Sequence, residues 1–307
     1  NLWDRVILWK DRIIDQRGPG LSYDLKTGEP IMQKHPITGE EIPWQFTKAG
    51  HHCNYAVASP HLVTFRAATA GFLDLESGTT GRLEGFRSGC RNSLIPANGV
   101  LNAPNFAHGC SCSYNLFTSL ALVHVPDVEL WTYSAYEKRD TPVDRVGINL
   151  GAPGDRIAKS GTMWLDYPNV GGPSPDVTVQ VFPRAPSYFR KHASQVEGEG
   201  LAWVAASGCK NLESLIVTTS KETENRNYTV RLFFAEPESL SEGDRVFDVL
   251  LQGKAVLENF DIVREAGGSQ KIVVREFQVV TSEGRLQINL KPQSGTPLLC
   301  GIELIAQ

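Results

Sequence analysis

Four histidines and four cysteines crowd into residues 51–112: His51, His52, Cys53, His61, Cys90, His108, Cys110 and Cys112. Thiolate and imidazole together suit a soft divalent metal, with His51, His52, Cys53, His108, Cys110 and Cys112 as the ligand set. Neither His-His-Cys nor Cys-x-Cys has the paired two-residue spacing of common structural zinc sites. The four cysteines therefore read better as two disulfides pinning neighbouring strands. A catalytic assembly uses the same region: His51, His52, His61, His108 or Tyr114 would abstract a proton α to a uronate carboxylate, and Arg66 and Arg91 would hold that carboxylate. That is the chemistry of a polysaccharide lyase. A turn or packing role accounts for each of these residues more simply, so no catalysis is expected. The sequence has no Cys-x-x-Cys-His, Gly-x-Ser-x-Gly, His-Glu-x-x-His or Walker motif, and Gly267-Gly268 fits no phosphate loop, so no cofactor is expected.

A second group of residues suits recognition instead. Trp131, Tyr133, Tyr136, Trp164, Tyr167, Tyr188 and Phe189 fall in or near loops, where flat rings suit stacking on sugars or packing between two halves of the chain. Of these, Trp164, Tyr167, Tyr188 and Phe189 form the expected carbohydrate-binding set. Asp155, in Gly151-Ala152-Pro153-Gly154-Asp155, reads as a turn residue. Cys209 and Cys300 either pair with each other or remain buried thiols. Asn227-Tyr228-Thr229 fits a glycosylation sequon but opens a predicted strand.

The elements that must position these groups repeat. Tyr23-Asp24-Leu25-Lys26-Thr27-Gly28 returns as Leu73-Asp74-Leu75-Glu76-Ser77-Gly78 after 50 residues, and in degenerate form as Tyr114–Ser119 after a further 41. Each phrase follows a short β-rich run, and its Asp and Gly serve a tight turn. A repeat of that period predicts β-propeller blades, about three of them over residues 1–130. Because propellers generally close with four to eight blades, the remaining blades are expected outside this chain or on another one. Residues 131–143 read as a linker. From 144 to 307 the sequence carries short runs such as Tyr228–Phe234, Arg245–Leu251 and Arg285–Leu290, which alternate or concentrate apolar residues as strands of a β-sandwich do.

Composition narrows the partners. The 307 residues are 41% apolar and 21% charged with a net charge of −4, and lysine and arginine are scattered, so nucleic acid is not an expected partner. The most apolar stretch, 116–125, is far shorter than the roughly 20 residues that span a bilayer. The first residues show no signal peptide, so export sequences are expected to have been removed or the chain to begin within a larger product. Six cysteines suit an oxidising, extracytoplasmic compartment.

Two resemblances sharpen this reading. Tyr228–Glu236, Arg245-Val246-Phe247-Asp248-Val249, Gln252-Gly253, Asn259-Phe260-Asp261-Ile262 and Leu299–Leu304, with Ile148-Asn149-Leu150-Gly151 and Asp166-Tyr167 upstream, resemble a malectin domain. The resemblance implies a carbohydrate-binding β-sandwich whose first-loop aromatic corresponds to Trp164. The family's other sugar contacts, an aromatic pair and an Asp, are lost here, where the corresponding stretches read Pro237-Glu238-Ser239 and Ser294-Gly295-Thr296. In the first half, Gly89–Gly99, Ala103-Pro104-Asn105-Phe106 and Cys110–Tyr114 resemble bacterial pyrroloquinoline-quinone-type propellers of the planctomycete sort. The expectation is thus an all-β, exported chain: a partial propeller followed by a malectin-like sandwich. It would bind carbohydrate or a protein partner, with part of a polysaccharide-degrading enzyme as the alternative.

Overall fold

The computed structural model describes residues 5–17, 20–46, 55–90, 92–104, 112, 118–123, 125, 128–134, 136–137, 139–222 and 225–307. They form two units: Asn1–His35 with Glu41–Ala135, and Pro36–Glu40 with Tyr136–Gln307. Both units are built from strands, with only short helices among the described residues.

In the first unit β1 (Val6–Trp9), β2 (Arg12–Asp15) and β3 (Ser22–Asp24) form an antiparallel meander, and β4 (Met32–Lys34) pairs with β5 (Glu41–Pro43) as a hairpin. A second meander contains β6 (Val57–Ala58), β7 (Leu62–Ala67), β8 (Thr69–Asp74) and β9 (Thr80–Leu83). A third contains β10 (Ile95–Ala97), β11 (Val100–Ala103) and β12 (Leu120–Val123). The first two meanders repeat each other in atomic detail. Arg12 pairs with Asp24 and Ile13 with Tyr23 just as Leu62 pairs with Asp74 and Val63 with Leu73. In both, the Asp accepts from donors of the turn: the Lys26 and Thr27 amides donate to Asp24 Oδ1 at 2.9 and 2.8 Å, and the Glu76 amide and the Ser77 hydroxyl donate to Asp74, each at 2.9 Å. Gly28 and Gly78 close the turns at φ of 75° and 72°, a left-handed conformation that other residues enter at a cost. The amides of Leu25 and Leu75 reach back to the carbonyls of Asp11 and His61, at 2.8 and 2.9 Å. The third phrase lies mostly outside the described residues.

These sheets are too small to bury their faces alone. Ile7 and Ile14 of the first meander pack with Val63, Phe65, Leu73 and Leu75 of the second, and Ala70, Phe86, Leu94 and Ala103 form a further small core. Among the described residues none of the sheets closes on itself. The stretch read as a linker is divided: Tyr133 bridges to Thr80 within the first unit, whereas Val143 is buried in the second.

The second unit stacks two sheets around one core. Its strands are β13 (Arg145–Leu150), β14 (Arg156–Ile157), β15 (Met163–Tyr167), β16 (Val179–Phe182), β17 (Ser187–Arg190), β18 (Ser207–Lys210) and β19 (Ser214–Thr218). They continue with β20 (Asn227–Phe234), β21 (Val246–Leu251), β22 (Lys254–Asp261), β23 (Val273–Val280), β24 (Arg285–Ser294), β25 (Leu298–Leu299) and β26 (Gly301–Ala306). One sheet runs β14-β15-β13-β26-β20-β23, the other β16-β19-β24-β21-β22, and β17-β18-β25 forms a small third sheet. Strand β24 shows the period-two rule directly: Leu286, Ile288 and Leu290 are buried while Arg285, Gln287 and Lys291 face solvent. Ile37 joins this core, and its carbonyl accepts from the amides of Asp144 and Arg145 at 2.7 and 3.0 Å. Helix α1 (Ala202–Ala205) precedes β18, and α2 (Ile262–Ala266) follows β22. Asp261 caps the start of α2 and Gly267, at φ 68°, its end, so the Gly267-Gly268 pair is a helix stop.

Candidate functional site

Of the four expected sugar-binding aromatics, Trp164 is overturned first. It lies on β15 with no exposed surface, wedged edge-on against Phe233 (centroids 5.1 Å apart) and Trp203 (5.8 Å). Neighbouring β13 makes room for the indole with Gly147, where a Cβ would sit 2.1 Å from the ring. A ring covered on its faces and edges cannot stack on a sugar; Trp164 is core.

Tyr167 ends the same strand and reaches a cleft of about 500 Å³ at one edge of the sandwich. Its floor is apolar (Ile148, Leu165, Val177, Val179), and Asp166, Asn169, Ser174, Asp176 and Thr178 supply polar atoms around it. An apolar floor with a few placed polar groups is the usual composition of a small-ligand site. Tyr188 lies opposite Cys209 across β17 and β18, and burial raises its phenol, helped by Cys209 and Tyr167. Burial also raises the Tyr167 phenol and lifts the Cys209 thiol to about 12, so the three form a neutral, protonated cluster at ordinary pH. Phe189 points the other way and covers Gly208, where a Cβ would meet its ring at 2.6 Å. The fold thus brings Tyr167 to the cleft with Tyr188 behind it, and uses Phe189 for packing.

Behind the cleft lies a feature that sequence reasoning missed. Asp155, expected to be a simple turn residue, is 1% exposed and shares its surroundings with Asp166, itself 5% exposed. Burial first, then the Asp166 charge, pushes the Asp155 carboxyl up to about 8. Eleven residues apart in the chain, the two meet because β14 folds back antiparallel on β15. No local pattern signals that pairing.

The two stretches where the malectin resemblance loses its remaining sugar contacts are tied to each other through one buried arginine. Arg245, 4% exposed, donates from Nε to Glu236 Oε2 at 2.6 Å and from Nη2 to Glu238 at 3.1 Å. Its Nη1 donates to the Thr296 carbonyl and, at 2.9 Å, to Thr296 Oγ1. Lys210 completes the network on Glu238 at 2.8 Å, and this contact lowers the Glu238 carboxyl. One guanidinium therefore ties the loop after β20 to the loop after β24.

The histidine- and cysteine-rich region gives less. His51, His52, Cys53, Arg91, His108, Cys110 and Tyr114 lie outside the described residues. His61 is exposed and paired with Glu76 at 2.9 Å, while Arg66, 2% exposed, is five residues along β7, roughly 16 Å at strand rise. Those two members of the lyase set do not converge. Among the described residues no group of three or more His, Cys, Asp and Glu is placed to hold a metal, and Cys112 is exposed. Cys112 is a free thiol, which corrects the disulfide expectation at that position, and Cys209 and Cys300 are unpaired with each other, so of their two readings the buried thiol holds. Cys300 is held by the carbonyls of Ala205 and Ala235, at 3.5 and 3.8 Å, and burial raises its thiol to about 12. Trp131 donates to Glu129 at 3.3 Å, and Tyr133 is buried. Both act within the first unit.

Comparison with known proteins places the second unit. Residues 219–302 match the family model described as Malectin domain. The match is shorter than the resemblance that began near residue 144. Over 82 residues the chain is 39% identical to Receptor-like protein 4 of Arabidopsis thaliana, covering 26% of this chain and 13% of that protein. Over 71 residues it is 42% identical to a probable leucine-rich repeat receptor-like serine/threonine-protein kinase of the same plant, covering 21% and 7%. The chain thus spans about an eighth or less of the length of these relatives. Among solved structures, the ANX2 ectodomain from Arabidopsis thaliana gives a TM-score of 0.42 at 14% identity over 52% of this chain and 49% of that one. A β-glucuronidase of Bacteroides uniformis gives 0.42 at 15% over 53% and 18%. The expected bacterial, quinone-type context of the first half draws no support from these comparisons. Among the described residues no helix is long and apolar enough to cross a membrane.

Proposed function

We propose that the second unit is an extracytoplasmic binding module that takes a carbohydrate at the cleft beside Tyr167, with no catalysis of its own. The supporting observation is the cleft itself: about 500 Å³, floored by Ile148, Leu165, Val177 and Val179, walled by the Tyr167 ring and rimmed by hydrogen-bonding side chains. Sugars present apolar C–H faces and hydroxyl edges, and this surface meets both. Of the carbohydrate set, Tyr167 is the contact and Tyr188 its support. The first unit serves as a run of propeller blades, its duplicated meanders packed face to face and its outer sheets able to take further blades on the same precursor or another chain. The names of the plant relatives favour a second reading, in which the occupant of the cleft is a peptide or protein partner.

The test is a glycan array with the full chain, followed by titration of any hit against Tyr167→Ala. Loss of one stacking ring should weaken binding about two- to tenfold. Binding that Tyr167→Ala leaves untouched would place the sugar elsewhere. An array with no hit, combined with capture of a defined peptide that Tyr167→Ala abolishes, would favour the second reading.

A further inference from the structure

The cleft beside Tyr167 carries charge of one sign. Among the described residues that line it, Asp166 and Asp176 are acidic and none is lysine, arginine or histidine. Asp166, on β15, accepts from the amides of Val170 and Gly171, each at 2.7 Å to Oδ2, and from Asn169 Nδ2 at 3.3 Å to Oδ1. Accepting all three and donating none is the pattern of an ionised carboxyl, and amides at that distance are charge-assisted donors. The donors are neutral, so they hold the carboxylate in place without cancelling its charge. Ser174, a hydroxyl of the rim, is likewise engaged, with its Oγ 2.9 Å from both oxygens of Asp155. Two of the rim's donor groups are thus turned to carboxyls of the protein. Arg156, on the neighbouring β14, lies over the Trp203 ring, 5.0 Å from its centroid, and lines no part of the cleft. The floor of Ile148, Leu165, Val177 and Val179 offers an incoming anion no donor, and such low-dielectric walls focus the field of the nearby carboxylates.

We propose that this cleft selects its ligand by charge: among glycans it takes uncharged ones, prefers those bearing amines, and rejects those bearing carboxylate, sulfate or phosphate. The inference rests on the cleft reading for the occupant and adds its chemical class. A uronate seated on the apolar floor brings its carboxylate towards Asp166 and Asp176 with no lining cation to offset the repulsion. The methyl ester of the same sugar brings the same ring and hydroxyls without the charge. Sugar hydroxyls and ammonium groups donate, and a rim rich in acceptors receives them.

Paramagnetic relaxation of the full chain's amides by two nitroxides alike except in charge, aminomethyl-PROXYL and carboxy-PROXYL, reads the sign of the field without any ligand. A unit charge roughly 7 Å from the probe, screened by about 0.1 M salt, changes each probe's local concentration about 1.6-fold in opposite directions. The cation should therefore relax the amides of Asp176–Val179 about threefold more than the anion, and the ratio should approach one in about 1 M salt. Asp166→Asn and Asp176→Asn should each lower the ratio; the second, at an exposed loop residue, serves if the first folds poorly. A ratio at or below one in the unaltered chain, or one that the folded variants leave unchanged, overturns the proposal. Titration with an oligogalacturonide as methyl ester and as free acid supplies the ligand arm. The ester should bind about three- to tenfold more tightly, at a site that Tyr167→Ala weakens. Equal or tighter binding of the free acid at that site also overturns the proposal. A threefold nitroxide ratio in a chain that binds no glycan supports selection by charge and removes only the carbohydrate reading.

Discussion

Replacing Trp164 separates a core residue from a binding platform. Truncation to alanine removes a fully buried indole and its edge contacts with Phe233 and Trp203, and the two packed sheets can relax into that space only in part. Substitutions of this kind cost about 3–5 kcal/mol. With a urea m-value of roughly 2 kcal/mol/M, the unfolding midpoint of the second unit should fall by about 2 M. Phenylalanine at the same site should behave very differently. The indole Nε1 has no hydrogen-bond partner among the described residues, so Trp164→Phe discards a buried unsatisfied donor along with part of the ring. Relief of about 1–3 kcal/mol offsets much of the lost packing, for a net cost under about 1.5 kcal/mol. Far-UV circular dichroism is the suitable probe, because the substitution deletes a fluorophore. If Trp164→Ala leaves the midpoint within about 0.3 M and instead abolishes glycan binding, the indole works at a surface and the assignment fails.

Further outcomes follow from other contacts. Gly147→Ala drives a Cβ into the Trp164 ring and should cost about 1–3 kcal/mol by the same denaturation assay. Glu236→Gln leaves the buried Arg245 without its nearest countercharge and should cost about 3–5 kcal/mol; pairing it with Arg245→Met should recover most of that loss, and equal losses in single and double variants would mean the pair is not coupled. Because Asp155 holds its proton in the folded chain up to about 8, its contribution to stability is complete below the unfolded carboxylate range near 4 and drains away as pH rises towards 8. The unfolding free energy of the unaltered chain should therefore fall with pH relative to Asp155→Asn, by at most about 1.4 kcal/mol per unit. Asp74→Ala should lower the stability of the first unit by about 1 kcal/mol through its lost turn bonds, and Asp24→Ala should act in the same direction, as the duplicated geometry requires.

The repeated phrase was legible because it is local. Asp24 and Asp74 each bond to amides two or three residues ahead, so any chain with that residue order makes the same turn whatever surrounds it. The strands of the second unit were legible for a similar reason: burial on one face imposes alternation, as in β24 and the first part of β20, and burial on both faces gives the apolar end of β20, Leu232–Phe234. Site chemistry was less accessible. Tyr167 and Trp164 lie three residues apart on one strand, with equally aromatic side chains, yet one lines a cleft and the other fills the core. Nothing in the residues themselves distinguishes them, since Phe233 and Trp203, which cover the indole, come from β20 and the segment before β18.

Sequence by itself determined that the chain is made of strands, that its first part duplicates a unit, and that its second part packs as a sandwich, because hydrogen bonding along the backbone and solvent exclusion act on neighbours and on short periods. Tertiary structure alone decided which groups meet. Asp155 lies beside Asp166 because β14 turns back on β15, and Arg245 ties the loops after β20 and β24 because its buried charge finds its partners in Glu236, Glu238 and Thr296. Contacts between distant segments depend on register and on the cost of leaving charge unpaired, and neither quantity is written in any short stretch of residues.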